Sequence, residues 1–164
     1  MVLQLKSLFM GEAESLPIDG EIDLSAVEIG GLHPLQQPVR VRGEVGLISG
    51  VVTLRGTAYF RYDGPCDRCA APIRREMAIG MDHILVTSLN NEDNDDFLLV
   101  ENYQLPLDEL TEADILLNLP SKILCREDCR GLCQQCGKDL NEGLCGCCTK
   151  EVDPRLAALK ELLN

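Results

Sequence analysis

The sequence predicts an α+β protein: an antiparallel β-meander, barrel-like if it closes on itself, with one or two helices and a C-terminal module dense in cysteine. Three observations lead there. Residues 39–62 alternate apolar and polar side chains in two runs separated by Ser49-Gly50. A third alternating run extends from Ile73 to Leu85. Seven of the nine cysteines fall within the 24 residues from Cys125 to Cys148. A period of two puts one set of side chains on a core and the other in water, the mark of half-buried strands.

Taken in order, residues 1–30 say least. Val2-Leu3-Gln4-Leu5 and Ile22-Asp23-Leu24 alternate like short peripheral strands, and Asp19-Gly20 reads as a turn. In the first clear hairpin, Val39, Val41, Val45 and Leu47 alternate with Arg40, Arg42 and Glu44. Val52, Leu54, Ala58 and Phe60 then alternate with Thr53, Arg55, Thr57, Tyr59 and Arg61. A two-residue turn at Ser49-Gly50 sets residue 48 against 51. Glu44 then faces Arg55, Gly43 faces Gly56 and Arg40 faces Tyr59, while Val45 faces Leu54 and Leu47 faces Val52. Partners match in character on both faces, which supports that register.

The second strand runs into Cys66-Asp-Arg-Cys69. In the third run Ile73, Met77, Ile79, Met81 and Leu85 lie on one side and Arg74, Glu76 and Asp82 on the other, so the Cys-x-x-Cys is expected at the tip of a second hairpin. Residues 90–96 form an acidic loop that lacks the glycine and terminal glutamate of a calcium loop and reads as solvated. Phe97 to Val100 reads as a short strand. Residues 108–118 read as a helix with Asp108 as N-cap and Pro120 as its stop. Asp153-Pro154 opens a C-terminal helix with a Leu156, Leu159, Leu162, Leu163 stripe, read as core packing. The expected organisation is a β-rich domain over 1–124, a Cys-rich zinc module over 125–150 packed on it, and a helix over 151–164.

Composition narrows the function. The formal net charge is -12, from 27 acidic against 15 basic residues, which disfavours nonspecific nucleic-acid binding. Trp is absent, so an aromatic stacking platform is not expected. The N-terminus lacks a signal-peptide layout and no run approaches ~18 apolar residues, so the expectation is a cytoplasmic protein away from the membrane. Structural disulfides are disfavoured there, and nine cysteines cannot all pair internally.

Metal ligation is therefore the leading reading of the cysteines. Zn²⁺ takes four soft ligands in a tetrahedron, which two Cys-x-x-Cys turns meeting head to head supply. Cys133-Gln-Gln-Cys136-Gly137 has the form of a zinc knuckle, whose glycine lets backbone N–H groups turn toward the sulfurs. Cys145 with either Cys147 or Cys148 would complete the site; the spacing leaves both open. A second site would join Cys66 and Cys69 to Cys125 and Cys129 and clamp the sheet to the C-terminal segment. One or two structural Zn²⁺ ions are expected. A redox pair at Cys66/Cys69, with Arg61 and Arg68 near to favour thiolate, is the competing reading, although no thioredoxin-like pattern surrounds it. No phosphate loop, nucleophile elbow or His-Glu-x-x-His occurs, so no catalytic residue and no small-molecule substrate are assigned. His33 and His83 are isolated, and His83 falls on the apolar side of its strand.

Cys66-Asp-Arg-Cys69 after an alternating hairpin, Leu119-Pro120, the Cys125-to-Asn141 run and Asp153-Pro154-Arg155-Leu156-Ala157 together resemble the YceD family of large ribosomal RNA subunit accumulation proteins, in its longer cysteine-rich form. The resemblance implies a non-enzymatic ribosome biogenesis factor whose partner is large-subunit ribosomal RNA or an assembly protein. It also implies that Cys66 and Cys69 carry the family's most widespread motif, and it strengthens the clamp site with Cys125 and Cys129. A candidate RNA face gathers Arg40, Arg42, Arg55, Tyr59 and Arg61, close to Arg68, Arg74 and Arg75; arginine–phosphate contacts would make such binding salt-sensitive. The rivals are a thiol-based redox or metal-sensing protein, and a protein-interaction adaptor without RNA contact.

Overall fold

The computed structural model describes residues 1–88 and 97–147. The acidic loop at 90–96, Cys148 and the helix expected over 151–164 lie outside the described residues. The chain is α+β, with a curled mixed sheet forming a half-barrel. That sheet has five strands in the order β2 (Ser15–Ile22), β3 (Val39–Ile48), β4 (Val51–Pro65), β5 (Pro72–Val86) and β6 (Phe97–Leu99). β2 to β5 are antiparallel neighbours, whereas β6 runs parallel to β5. The meander expected from the alternation is there, and the parallel last strand makes the sheet mixed. A separate two-stranded sheet pairs β1 (Val2–Gln4) with β7 (Gln104–Pro106). Among the described residues the α-helices are α1 (Lys6–Phe9) and α2 (Leu107–Asn118).

The β3–β4 register is the one the sequence predicts: Ile48 opposite Val51, Val45 opposite Leu54, Gly43 opposite Gly56 and Arg40 opposite Tyr59. Ser49 and Gly50 take positive φ, as a two-residue hairpin turn requires. The Gly43–Gly56 pair marks a close approach of the two backbones. A Cβ on Gly43 would meet the Arg55 carbonyl oxygen and the Gly56 Cα closer than atoms can sit. Two glycines facing each other thus allow a tight bend in the sheet.

Asp19-Gly20 is not a turn. Both residues lie inside β2, opposite Arg42 and Val41, and the alternation of Ile18 and Ile22 with Asp19 and Glu21 carries the strand through them. The α2 helix also begins differently. Pro106 occupies the N-cap with no side-chain cap, and Asp108 lies in the first turn. Its carboxylate holds the Met1 amino group at 3.0 Å, which keeps the Asp108 pKa below the usual carboxylate value. Leu119 leaves the helical region with ψ 136 before Pro120, as the ring of the following proline demands.

The main core lies between the apolar face of the sheet and the α1, α2, β1 and β7 layer, with Leu5, Leu8, Leu54, Leu85, Leu107 and Ile115 among its fully buried members. Each such side chain contributes about 1.5–3 kcal/mol on burial. His83 is packed on this side: its Nε2 lies 2.7 Å from the Asp114 carboxylate of α2, fastening helix to sheet. A second, smaller core sits at the far end of the β4–β5 hairpin. It contains Tyr62, Cys66, Cys69, Ile73, Ile123 and Cys129. The sulfur chemistry is organised around this small core.

Candidate metal centres

β4 and β5 stay paired to Pro65 and Pro72, leaving Cys66-Asp-Arg-Cys69-Ala-Ala as the hairpin tip. The tip closes on itself through Cys66 N–H to the Ala71 carbonyl and Ala70 N–H to the Cys66 carbonyl. Beyond Pro120 the chain returns across it. Asp67 exchanges hydrogen bonds with Ile123, its carboxylate accepting from the Ile123 N–H and its own N–H donating to the Ile123 carbonyl. Arg75 donates to the Leu124 carbonyl at 2.8 Å, and Arg68 to the Cys129 carbonyl. Gly131 fits against the tip at φ +76, where a Cβ would lie 2.8 Å from the Arg68 carbonyl oxygen.

These contacts bring Cys66, Cys69, Cys125 and Cys129 together, with all four sulfurs within 4.8 Å of one another. Cys66 to Cys129 is 3.9 Å and Cys69 to Cys125 is 3.6 Å. A metal–sulfur bond of about 2.3 Å in a tetrahedron separates the sulfurs by about 3.8 Å, so the observed spacings fit a four-thiolate ion site. They are far too long for disulfides, which require ~2.05 Å. Donors converge on the sulfurs as a thiolate requires. The Cys125 N–H lies 3.3 Å and the Arg68 N–H 3.5 Å from the Cys66 Sγ, and the Asn141 side-chain amide lies 3.4 Å from the Cys129 Sγ. Burial would raise the Cys66 pKa, but the backbone N–H groups of Cys125, Arg68 and Cys69 outweigh it and bring it down to about 6. Burial, joined by the neighbouring sulfurs, pushes Cys125 up to about 12.

A second group gathers Cys133, Cys136, Cys145 and Cys147, again with sulfurs within 4.8 Å. Here a short β-bridge pairs Leu132 with Asp139, and Gly137 at φ +72 donates to the Cys133 carbonyl, the turn expected of a knuckle. The N–H groups of Cys136 and Gln135 bring Cys133 down to about 6, while the Cys136 sulfur, first among several causes, pushes Cys147 up to about 12. No disulfide joins the described cysteines. Both groups could hold a metal ion. Cys147 is the partner of Cys145 that falls within this group, and Cys148 lies outside the described residues.

The candidate RNA residues divide. Register places Arg40, Arg42, Arg55, Tyr59, Arg61 and Arg74 on the outer face of the sheet, together with Asp19, Glu21, Glu44, Asp63, Glu76 and Asp82. Five arginines thus share the face with six carboxylates. Arg40 and Arg42 both reach Asp19, Arg55 reaches Asp82 rather than the opposing Glu44, and Arg74 reaches Asp63. The Arg61 Nε is buried without a hydrogen-bond partner. Arg75 belongs to the opposite face, opposite Tyr62, and Arg68 to the clamp.

Sequence reasoning missed Asp67, Gly131 and Asn141 as parts of the site. Asp67 stood between the two tip cysteines, and Gly131 two residues after Cys129, where a positive-φ glycine often marks close backbone approach. Nothing in the local pattern of Asn141 announced its reach back to Cys129.

A small α+β scaffold with two four-thiol groups, one of them joining the β4–β5 hairpin tip to the segment after Pro120, defines a candidate metal-binding protein. The chain belongs to the family described as Large ribosomal RNA subunit accumulation protein YceD, whose sequence model matches residues 54–163. It is similar to the uncharacterized protein Rv2926c of Mycobacterium tuberculosis, 30% identical over 147 residues, spanning 87% of this chain and 68% of that protein. It is also similar to the uncharacterized protein YlbN of Bacillus subtilis, 30% identical over 129 residues, or 77% of this chain and 75% of that protein. No solved structure matches. Among the described residues no helix is long and apolar enough to cross a membrane.

Proposed function

We propose that this chain is a non-enzymatic cytoplasmic factor that supports accumulation of large-subunit ribosomal RNA, built on two structural Zn²⁺ ions and acting through a basic assembly protein. The observation that carries the reading is the joining of the family's cysteine motif at Cys66 and Cys69 to Cys125 and Cys129, within a chain whose family name ties it to large-subunit RNA. Zinc suits four thiolates at these spacings and supplies no redox chemistry; in a closed four-ligand site it serves to hold the fold. Cys66, Cys69, Cys125 and Cys129 would hold one ion, and Cys133, Cys136, Cys145 and Cys147 the other. The proposed units are the β-rich body over 1–124, the zinc module over 125–150 and the helix over 151–164.

A basic protein partner follows from charge. The chain carries -12, and four of the arginines on its outer sheet face are already held by carboxylates of the same face. An acidic surface recruits basic proteins and repels phosphates. Direct contact with ribosomal RNA is the second reading. It is favoured by Tyr59, 46% exposed and set opposite Arg40, a single ring on which one base could stack beside a cation.

Crosslinking of the tagged chain in cells separates the two. Crosslinks dominated by basic ribosomal or assembly proteins, unchanged in Arg40→Ala/Arg42→Ala, are expected. RNA crosslinks at Tyr59 that disappear in that double variant, with binding that weakens steeply as salt rises, carry the second reading instead. Purified protein is expected to hold two Zn²⁺ per chain; metal-free protein with a rapidly oxidised Cys66/Cys69 pair would return the redox reading.

A further inference from the structure

We propose that Asn141 ties the two ion sites together, so that occupancy of the outer cysteine group governs how tightly the inner group holds its ion. The inference rests on the zinc reading above. Asn141 lies in the loop between Cys136 and Cys145, both members of the outer group, yet its side chain serves the inner one. Its amide Nδ2 donates to the Cys129 Sγ at 3.4 Å, and its Oδ1 accepts the Arg130 N–H at 2.7 Å. The same Nδ2 also donates to the Asp139 Oδ1 at 2.7 Å, and the Lys138 Nζ donates to the Leu144 carbonyl at 3.4 Å across the loop that carries it. Leu140 donates to the Gly131 carbonyl at 2.8 Å, Asp139 receives the Asn141 N–H at 2.8 Å, and the two cysteine pairs fix its ends.

An ion in the outer group draws Cys133 and Cys136 to Cys145 and Cys147 and so holds the intervening loop closed. With the loop closed, Asn141 stands over Cys129 and spreads the negative charge of its sulfur. When the outer ion leaves, the ends of the loop are released and the donor is kept over Cys129 only by the hydrogen bonds to Arg130, Gly131 and Asp139. With the loop closed Cys129 is 1% exposed, so the Asn141 amide stands at its sulfur where water would otherwise donate. Hydrogen bonds of this kind around a metal ligand are worth roughly 10–100-fold in affinity. The outer group, with Cys136 exposed, is the one a chelator reaches first.

The test follows zinc release from the full-length, zinc-loaded protein into the chromophoric chelator 4-(2-pyridylazo)resorcinol. Wild type is expected to release two ions in two phases, a fast outer one and a slow inner one. Asn141→Ala should keep both ions and quicken the slow phase about tenfold. Cys136→Ser/Cys145→Ser should hold one ion and lose it at least as fast as the slow phase of Asn141→Ala. Asn141→Asp keeps the acceptor for Arg130 but exchanges the donor for a carboxylate beside the Cys129 sulfur and the Asp139 carboxylate, so its slow phase should be faster still than that of Asn141→Ala. A slow phase in Asn141→Asp no faster than in wild type would show that the contact with Cys129 does not govern retention and would overturn the coupling. A slow phase unchanged in Asn141→Ala, or in the outer-site variant, overturns the coupling and leaves the zinc reading standing. Wild-type protein that binds no ion overturns both.

Discussion

Cys66, Cys69 and Cys129 are 3%, 6% and 1% exposed, at the meeting of strands and segments distant in sequence, whereas Cys136 of the outer group stands in solvent within a single short stretch. The donor set is the same in both, four thiols, and in both the sulfurs lie within 4.8 Å of one another. What differs is the length of chain each closes. The inner contacts bridge 56 to 63 residues, the outer pair Cys136 and Cys145 only nine positions. Chain entropy alone makes closing the longer loop harder by roughly 1.5 kcal/mol, so an ion there removes more freedom from the unfolded chain. The inner group also shares its small core with Tyr62, Ile73 and Ile123. The inner site is thus part of the fold, and the outer site is an addition to it.

The largest effect expected from this comparison comes from breaking each site in turn. Cys129→Ser should remove one ion and cost more than ~4 kcal/mol, because it opens the small core and detaches the segment after Pro120 from the hairpin tip. Cys136→Ser should remove one ion and cost about 1–2 kcal/mol. Thermal unfolding with zinc content measured on the same samples decides it. Equal losses from the two variants would erase the distinction between a built-in and an added site.

Acid should not separate the sites where a chelator does. Each group pairs one sulfur brought down to about 6 (Cys66, Cys133) with one pushed up to about 12 (Cys125, Cys147). At pH 7.5 the first of each pair is a thiolate and the second a thiol, and Cys69, also raised, is a thiol too. An entering ion displaces protons from Cys69 and Cys125 in the inner group and from Cys147 in the outer. Ion uptake therefore releases protons and tightens as pH rises. Below about pH 6 the Cys66 and Cys133 thiolates take up protons in competition with the ion, and both sites should empty over one shared range. Zinc retained after desalting at stepped pH measures this, and a clear gap between the two losses would place another group in control.

How much of this was legible in the sequence depends on the distance over which each feature is decided. The β3–β4 register was legible because Ser49-Gly50 fixes it locally and the matched pairs repeat the message on both faces. The outer group was legible from spacing, although the choice between Cys147 and Cys148 was not, since both fit a short return after Gly146. The inner group, with its unusual 125/129 spacing, rested on the four cysteines left over and on the family resemblance. Asp19-Gly20 misled because its turn propensity is local, while its place in β2 is set by pairing with Arg42 and Val41 more than twenty residues on. The charge state of the outer sheet face was hidden for the same reason. Its arginines were visible in β3 to β5, but the Asp19 that holds two of them arrives on a strand the sequence placed only loosely. Asp67 and Asn141 act on partners 56 and 12 positions away, beyond any local period.

The finest division between the regions is carried by two glycines of nearly equal backbone geometry. Gly131 sits at φ +76 and Gly137 at φ +72, so alanine at either meets the same left-handed penalty of about 1–2 kcal/mol. Their surroundings differ. A Cβ at Gly131 would lie 2.8 Å from both the Cγ and the carbonyl oxygen of Arg68, whereas at Gly137 nothing lies within 4 Å. The Arg68 side chain can move aside, but its carbonyl belongs to the hairpin tip and cannot move without shifting Cys69. Gly131→Ala should therefore destabilise by more than the dihedral penalty and speed ion loss from the inner site. Gly137→Ala should show the penalty alone and leave inner release unchanged. Denaturant unfolding of the two variants beside wild type, with zinc release followed in parallel, makes the measurement. Equal destabilisation by the two would mean that the Cys125–Gly131 segment lies loosely on the hairpin tip.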